Sequence, residues 1–165
     1  GLDSINTAKE GSSRVITQFL GHIVRGEPIK LVDGGTQKRA FTYIDDGIAA
    51  LMKIIANDGG IATGKIYNIG NPANNFSVRE LATMMLDLAL TYPEYRGTAE
   101  RVQLVETTAD RYYGSGYTDV QKRVPGIANS FADLDWQPRV AMAEALKRIF
   151  DAYRGQVAAA RQLVD

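Results

Sequence analysis

The sequence predicts a small mixed α/β unit, and three observations predict it. Short β-prone runs, among them Ile29-Lys30-Leu31-Val32, Lys65-Ile66-Tyr67-Asn68-Ile69 and Val102-Gln103-Leu104-Val105, alternate with stretches whose apolar residues recur at helical spacing. A length of 165 residues suffices for one hydrophobic core and not for two comfortable domains, so residues 1–165 are expected to form one unit. No strand is followed by a Gly-x-Gly-x-x-Gly turn and a helix, and the Gly114-x-Gly116 pair lacks both the third glycine and the preceding strand. The chain therefore encodes no dinucleotide-binding half of its own.

Composition narrows the function classes. Lys plus Arg and Asp plus Glu are 19 each, so no global positive field argues for nucleic acid. The absence of cysteine removes disulfides and thiolate metal sites and agrees with a reducing cytoplasm. His22 is the single histidine and cannot build a zinc site alone. No apolar run approaches the roughly 20 residues of a membrane span. The N-terminus also lacks a signal pattern, so a cytoplasmic protein without membrane contact is expected. Residue 1 is Gly, and residues 1–11 read like mid-protein loop, as a fragment would.

In order, Ser12 or Ser13 can cap a helix whose face is Val15, Ile16, Phe19, Leu20 and Ile23, stopped by Gly26 and Pro28. Arg14 falls in its first turn, where a cation opposes the macrodipole unless an anion shares the site; simple exposure to solvent is the plain alternative. A strand from Pro28 to Val32 leads to an Asp33-Gly34-Gly35 turn and then to a basic start, Gln37-Lys38-Arg39, of a second strand-like run. Asp45 and Asp46 are expected to cap a helix with the apolar face Ile48, Leu51, Met52 and Ile55. Gly59 to Lys65 has P-loop spacing, but Ile66 stands where a magnesium-binding hydroxyl belongs, and residues 65–69 read as a buried strand rather than a helix start. Nucleotide hydrolysis is rejected on both counts. Ser77-Val78-Arg79-Glu80 is a capping box opening a helix through Val78, Leu81, Met85 and Leu88 that Pro93 ends, with residues 94–101 as loop. After Pro125 a short helix to Leu134, a Trp136-Gln137-Pro138 corner and a last helix through Met142, Leu146, Ile149, Phe150 and Tyr153 follow; residues 156–165 are a tail.

The stretch from Arg111 to Pro125, Arg-Tyr-Tyr-Gly-Ser-Gly-Tyr-Thr-Asp-Val-Gln-Lys-Arg-Val-Pro, has neither period and reads as an ordered loop. Arg123 can fork to a carboxylate or phosphate, Lys122 adds charge, and Tyr117 offers a ring face and a phenol. From this stretch alone, a solvated loop whose tyrosines plug a core edge accounts for the residues at least as well.

The order of motifs carries a resemblance over nearly the whole chain. Gly-Ser-Ser-Arg, Asp-Gly-Gly-Thr-Gln-Lys-Arg-x-Phe-Thr, Ile-Asp-Asp-Gly-Ile, Tyr-Asn-Ile-Gly-Asn-Pro, Ser-Val-Arg-Glu-Leu, Tyr-Tyr-Gly-Ser-Gly-Tyr-Thr-Asp-Val and Leu-Asp-Trp-x-Pro together resemble the C-terminal substrate-binding part of an extended short-chain dehydrogenase/reductase of the NAD-dependent epimerase/dehydratase family. The Asp33-to-Arg39 and Tyr112-to-Arg123 stretches are most similar to the UDP-glucuronic acid oxidative decarboxylase domains of bifunctional enzymes that make UDP-4-amino-4-deoxy-L-arabinose for lipid A. Thr36 stands where those domains often have Lys, and Tyr43 where they often have Asp.

The resemblance implies a small mixed α/β substrate-binding subdomain whose Rossmann half lies outside the chain and holds NAD. It implies a UDP-sugar, UDP-glucuronic acid, as ligand, with Lys30, Gln37, Lys38 and Arg39 along the UDP portion, Arg14 near the diphosphate and Tyr117 on the substrate. Arg123 matches the arginine to which that family assigns proton donation at carbon 5 after decarboxylation. A guanidinium gives up its proton too reluctantly to serve as an acid, and its fork suits it better to binding the carboxylate or stabilising the enolate. The fragment alone is expected to be inactive, and the full-length protein to be a cytoplasmic homo-oligomer. A UDP-sugar 4-epimerase or dehydratase would use the same UDP site without Arg123, and an interaction domain would use the fold but not the pocket. With the partner half absent, residues 1–11 and 107–123 are expected to be mobile or displaced.

Overall fold

The computed structural model describes residues 14–113 and 120–158. The expected loop at 1–11, the Ser12 or Ser13 cap, the Gly114-to-Asp119 part of the central loop with Tyr117, and the end of the tail lie outside the described residues.

The described chain begins with helix α1 (Val15–Arg25), strand β1 (Ile29–Val32), a 3-10 turn at Asp33–Gly35, β2 (Lys38–Ala40) and α2 (Ile44–Ala56). It continues through β3 (Asn75–Ser77), α3 (Val78–Thr91), α4 (Pro93–Ala99), β4 (Leu104–Thr107) and α5 (Ala109–Tyr113). β5 (Lys122–Arg123), α6 (Ala128–Leu134) and α7 (Met142–Tyr153) complete it. These elements divide into two compact units.

The first unit holds α1, β1, α3, α4, β4, α5 and the end of α7 from Leu146. β1 and β4 form a parallel pair in which Lys30 registers with Val105 and Leu31 with Glu106. Burial alternates along β1, with Ile29 and Leu31 inside and Lys30 outside, as a strand covered on one face requires. Helices α1, α3 and α4 pack around this pair through Leu20, Ile23, Leu81, Met85 and Tyr95, all fully buried. α1 ends at Gly26, which takes the left-handed conformation at φ 71 and turns its N–H back to His22 and Ile23. The sequence expects loop at 94–101, whereas residues 93–99 are helical. Pro93 occupies the first turn, where its missing N–H costs nothing, and so starts α4 as well as ending α3.

The second unit holds β2, α2, β3, β5, α6 and the start of α7. Its sheet has the order β3-β2-β5, with β3 antiparallel and β5 parallel to β2. Trp136 anchors a core cluster with Ala50 and Leu134, and its indole N–H donates to the Asp46 carbonyl at 2.9 Å. Asp46 itself departs from the expected capping role. α2 starts after Tyr43 without a side-chain cap, and the buried Asp46 carboxylate instead accepts the N–H groups of Arg139 and Val140 at 3.0 Å each. Asn71 and Asn74 hold the same segment through the Val140 carbonyl, at 3.2 and 3.0 Å. The demand of two distant backbone N–H donors for an acceptor has outweighed the local preference for a cap.

Two expectations of burial fail in this unit. Residues 65–69 form no strand, and Ile66 is 90% exposed. The expected inner face of α2 is open too: Ile48, Leu51, Met52 and Ile55 are 48–73% exposed. A strand needs a neighbouring strand for its backbone groups, and the described residues supply none here.

Close packing also restricts Gly70. A Cβ there would lie 2.5 Å from Pro125 Cγ. Gly70→Ala is expected to cost about 1–3 kcal/mol, read as a lower urea midpoint. An unchanged midpoint would mean that Pro125 yields without strain.

Candidate functional site

β2 and β5 bring the predicted basic residues together. The Lys38 N–H donates to the Gln121 carbonyl at 2.8 Å, and the parallel register then sets Lys38 opposite Lys122 and Arg39 opposite Arg123. Side chains alternate between the faces of a strand, so the two arginines share one face and the two lysines the other. The Arg39 Nη1 donates to the carbonyls of Val120 at 2.6 Å and of Lys38 at 2.8 Å, which ties its guanidinium to the strand that carries Arg123.

Strands in a ladder lie about 4.8 Å apart. Like charges directly opposite one another destabilise a pair, by about 1 kcal/mol or less at such a separation in water. Lys38, Lys122 and Arg123 are exposed, and no acidic group pairs with them among the described residues. Two cation pairs on a ladder of only two residues are the arrangement that a bound polyanion would offset, and the arginine pair supplies forks for carboxylate or phosphate oxygens.

The other predicted residues have different surroundings. Gln37, just before β2, is buried. Lys30 is exposed on β1, and Arg14 is the exposed residue preceding α1, with extended backbone at φ −65 and ψ 141, outside the first turn rather than in it. Both belong to the first unit. Tyr117 lies outside the described residues.

Two residues with a bearing on the site escape a reading of local pattern. Arg79, counted in the sequence only as part of a capping box, donates from Nε to the Gly34 carbonyl at 2.8 Å and pairs with Glu106. It braces the Asp33–Gly35 turn, where a Cβ on Gly35 (φ 66) would lie 3.1 Å from the Arg79 backbone nitrogen, while the Asp33 carboxylate accepts the Ala109 N–H at 3.1 Å. Asn75, opposite Ala40 in the β2–β3 pairing, carries a buried Oδ1 with no hydrogen-bond donor among the described residues. No periodicity in the sequence marks either residue.

The P-loop-like lysine is already committed. Lys65 Nζ donates to Asp133 Oδ2 at 2.9 Å, and the Tyr67 hydroxyl donates to the same oxygen at 3.0 Å. The Lys65 bond holds the Asp133 carboxyl below its ordinary range and raises the lysine. A depressed carboxylate contributes stability above its unfolded pKa and loses it as pH falls through the folded value. The acid limb of the urea midpoint is therefore expected to be shallower in Asp133→Asn than in the parent.

The alternation of strands and helices, with small sheets, defines a mixed α/β fold. Residues 3–70 match the NAD dependent epimerase/dehydratase family. By this match and the likeness that follows, the chain is similar to members of that family. The crystal structure of the PbgP3 protein from Burkholderia pseudomallei is 64% identical with a TM-score of 0.81, over 100% of this chain and 46% of that one. UDP-glucuronic acid 4-epimerase from Bacillus cereus, in complex with UDP-glucuronic acid and NAD, is 19% identical with a TM-score of 0.70 over 88% and 40%. UDP-glucose 4-epimerase from Thermotoga maritima, with UDP-glucose, is 22% identical with a TM-score of 0.65 over 89% and 41%. The latter two show a shared fold. The chain spans less than half the length of each of these structures.

Proposed function

We propose that this chain is the UDP-sugar-binding part of a cytoplasmic NAD-dependent UDP-glucuronic acid oxidative decarboxylase of lipid A modification, inactive by itself and homo-oligomeric at full length. The observation that carries the reading is the Arg39–Arg123 register pair, two guanidinium forks on one sheet face with carbonyls locking one of them in place. The 64% identity to PbgP3 and the UDP-glucuronic acid and NAD named for a structure of the same fold support it.

This chain does not fit NAD itself. Its described sheets have two and three strands, and no Gly-x-Gly-x-x-Gly turn opens a helix. Oxidation of the carbon 4 alcohol belongs to the part of the protein that this chain does not span. The role of these residues begins with the resulting 4-ketone, to which the carbon 5 carboxylate is β. As the bond from carbon 5 to the carboxyl carbon breaks, its electron pair spreads onto the carbon 4 oxygen and carbon dioxide leaves. Arg123 holds the carboxylate beforehand and stabilises the enolate as charge develops. A water-borne proton then reaches carbon 5, giving the 4-keto-pentose. Lys38, Arg39, Gln37 and Lys30 line the UDP portion, with Arg14 near the diphosphate and Tyr117 on the sugar.

The test is calorimetric titration of UDP and UDP-glucuronic acid into the protein extended to the full length of its relatives, with NAD present. Binding of UDP-glucuronic acid followed by NADH absorbance and release of carbon dioxide is expected. Binding without accumulated NADH would replace the decarboxylase by a 4-epimerase, and absence of any UDP binding would leave an interaction domain.

A further inference from the structure

An aspartate followed by glycine is the acidic dipeptide whose backbone closes most readily on its own side chain, because glycine has no Cβ to hinder attack by its nitrogen. The sequence holds three such pairs, Asp33-Gly34, Asp46-Gly47 and Asp58-Gly59. Two of them are held in place. The Asp33 carboxylate accepts the Ala109 N–H at 3.1 Å, and the Gly34 carbonyl accepts Arg79 Nε at 2.8 Å. Asp46 is buried, its two carboxylate oxygens take the N–H groups of Arg139 and Val140, and the Gly47 N–H donates to the Tyr43 carbonyl at 3.2 Å. A carboxyl fixed in this way reaches the next nitrogen only after its bonds break.

The third pair is free. Asp58 and Gly59 are exposed in the 3-10 turn (Asp58–Gly60) that follows the left-handed Asn57 at the end of α2. The Asp58 carboxylate makes no hydrogen bond or ion pair among the described residues, and the Gly59 N–H has no acceptor among them. Nothing lies within 4 Å of the place a Gly59 Cβ would take. The turn closes through the Gly60 N–H to the Asn57 carbonyl at 2.8 Å and the Ile61 N–H to the Asp58 carbonyl at 3.3 Å, so a local opening breaks little.

We propose that Asp58-Gly59 is a modification site at which the aspartate isomerises to isoaspartate through a cyclic imide, and that the product is a substrate for carboxyl methylation by an enzyme that reads isoaspartate. The Gly59 nitrogen, losing its proton to water, attacks Asp58 Cγ; the N–Cγ bond forms, the bond from Cγ to the hydroxyl of the protonated carboxyl breaks, and water leaves. A second water then adds to one of the two imide carbonyls. Breaking the N–Cγ bond restores aspartate, whereas breaking the bond from the nitrogen to the backbone carbonyl carbon leaves the chain running through the side chain. That product carries a free carboxylate where the Asp58 carbonyl accepted the Ile61 N–H, and this carboxylate takes the methyl group from a sulfonium donor. No oxidation is involved, and no sugar nucleotide.

The test incubates the purified chain for weeks at neutral pH and maps its peptides by electron-transfer fragmentation, with methyl incorporation by an isoaspartyl methyltransferase as the second readout. Isoaspartate is expected to accumulate at residue 58 at least about tenfold faster than at 33 or 46, the factor by which one hydrogen bond to a charged group suppresses the free carboxyl. A minor species lighter by one water should accompany it. In urea, where the holding bonds are lost, the three pairs should react at similar rates. Asp58→Glu, which would have to close a six-membered ring, should remove the signal and leave the urea midpoint unchanged; Asp58→Asn, which reaches the same imide by losing ammonia, should raise it. Equal rates at the three pairs in the folded chain would overturn the proposal, as would a difference that persists in urea. So would undiminished methyl incorporation in Asp58→Glu.

Discussion

Phe150→Ala is expected to destabilise the first unit by about 3–5 kcal/mol, a large share of the 5–15 kcal/mol that holds a typical domain folded. The ring is fully buried, 4.9 Å from the Tyr95 ring in edge contact and 5.9 Å from that of Tyr92. Tyr95 is itself fully buried and donates its hydroxyl to the Phe150 carbonyl at 2.8 Å. Burial raises its phenol far above the ordinary range, so this donor stays protonated and bonded at any working pH. Deleting the neighbouring ring leaves a cavity lined by groups already fixed in place, with little means of collapse. On the exposed side of the cluster Arg154 lies over the Tyr92 ring at 5.6 Å and pairs with Glu94. Such exposed contacts contribute little, and Arg154→Ala should leave the urea midpoint nearly unchanged. A Phe150→Ala loss below about 1 kcal/mol would show that the cluster is not the anchor of α7.

The elements that a reading of residues places well are those whose partners lie within this chain. α1, β1, α6 and α7 fall where periodicity, Gly26, Pro28 and the Trp136 corner put them. Asp46 reads as a cap because a carboxylate at a helix start suits one, while its partners, Arg139 and Val140, are more than ninety residues away. Pro93 reads as a stop, and the same residue suits the first turn of a new helix. Residues 65–69 and the α2 stripe have the composition of buried elements without burial among the described residues, since periodicity reports that a face seeks cover and not what covers it. The basic character of Lys38, Arg39, Lys122 and Arg123 was visible in the sequence. Their pairing was not, because an 81-residue separation between Arg39 and Val120 leaves no local signal. The ladder sets Arg39 and Arg123 side by side.

That adjacency governs what Arg123→Ala should do in the full-length protein with NAD. Removing one donor that meets developing charge typically lowers turnover by about 10²–10³, and release of carbon dioxide from UDP-glucuronic acid is expected to fall by that much. Affinity for UDP itself should change little, because Arg39 remains tied to Val120 and Lys38 remains on the other face of the sheet. The fold should be unaffected, since Arg123 is exposed and its loss relieves a like-charge pair. Arg123→Lys should recover part of the rate, as a cation without a fork stabilises the enolate less well. Oxidation at carbon 4 does not need this residue, so NADH should still form in the first turnover and then persist with the keto acid. Arg123 that acted only on substrate binding would instead raise KM at unchanged kcat. Unchanged release of carbon dioxide in Arg123→Ala, with UDP affinity lost in Lys38→Ala, would keep the anion site on β2 and remove β5 from the chemistry.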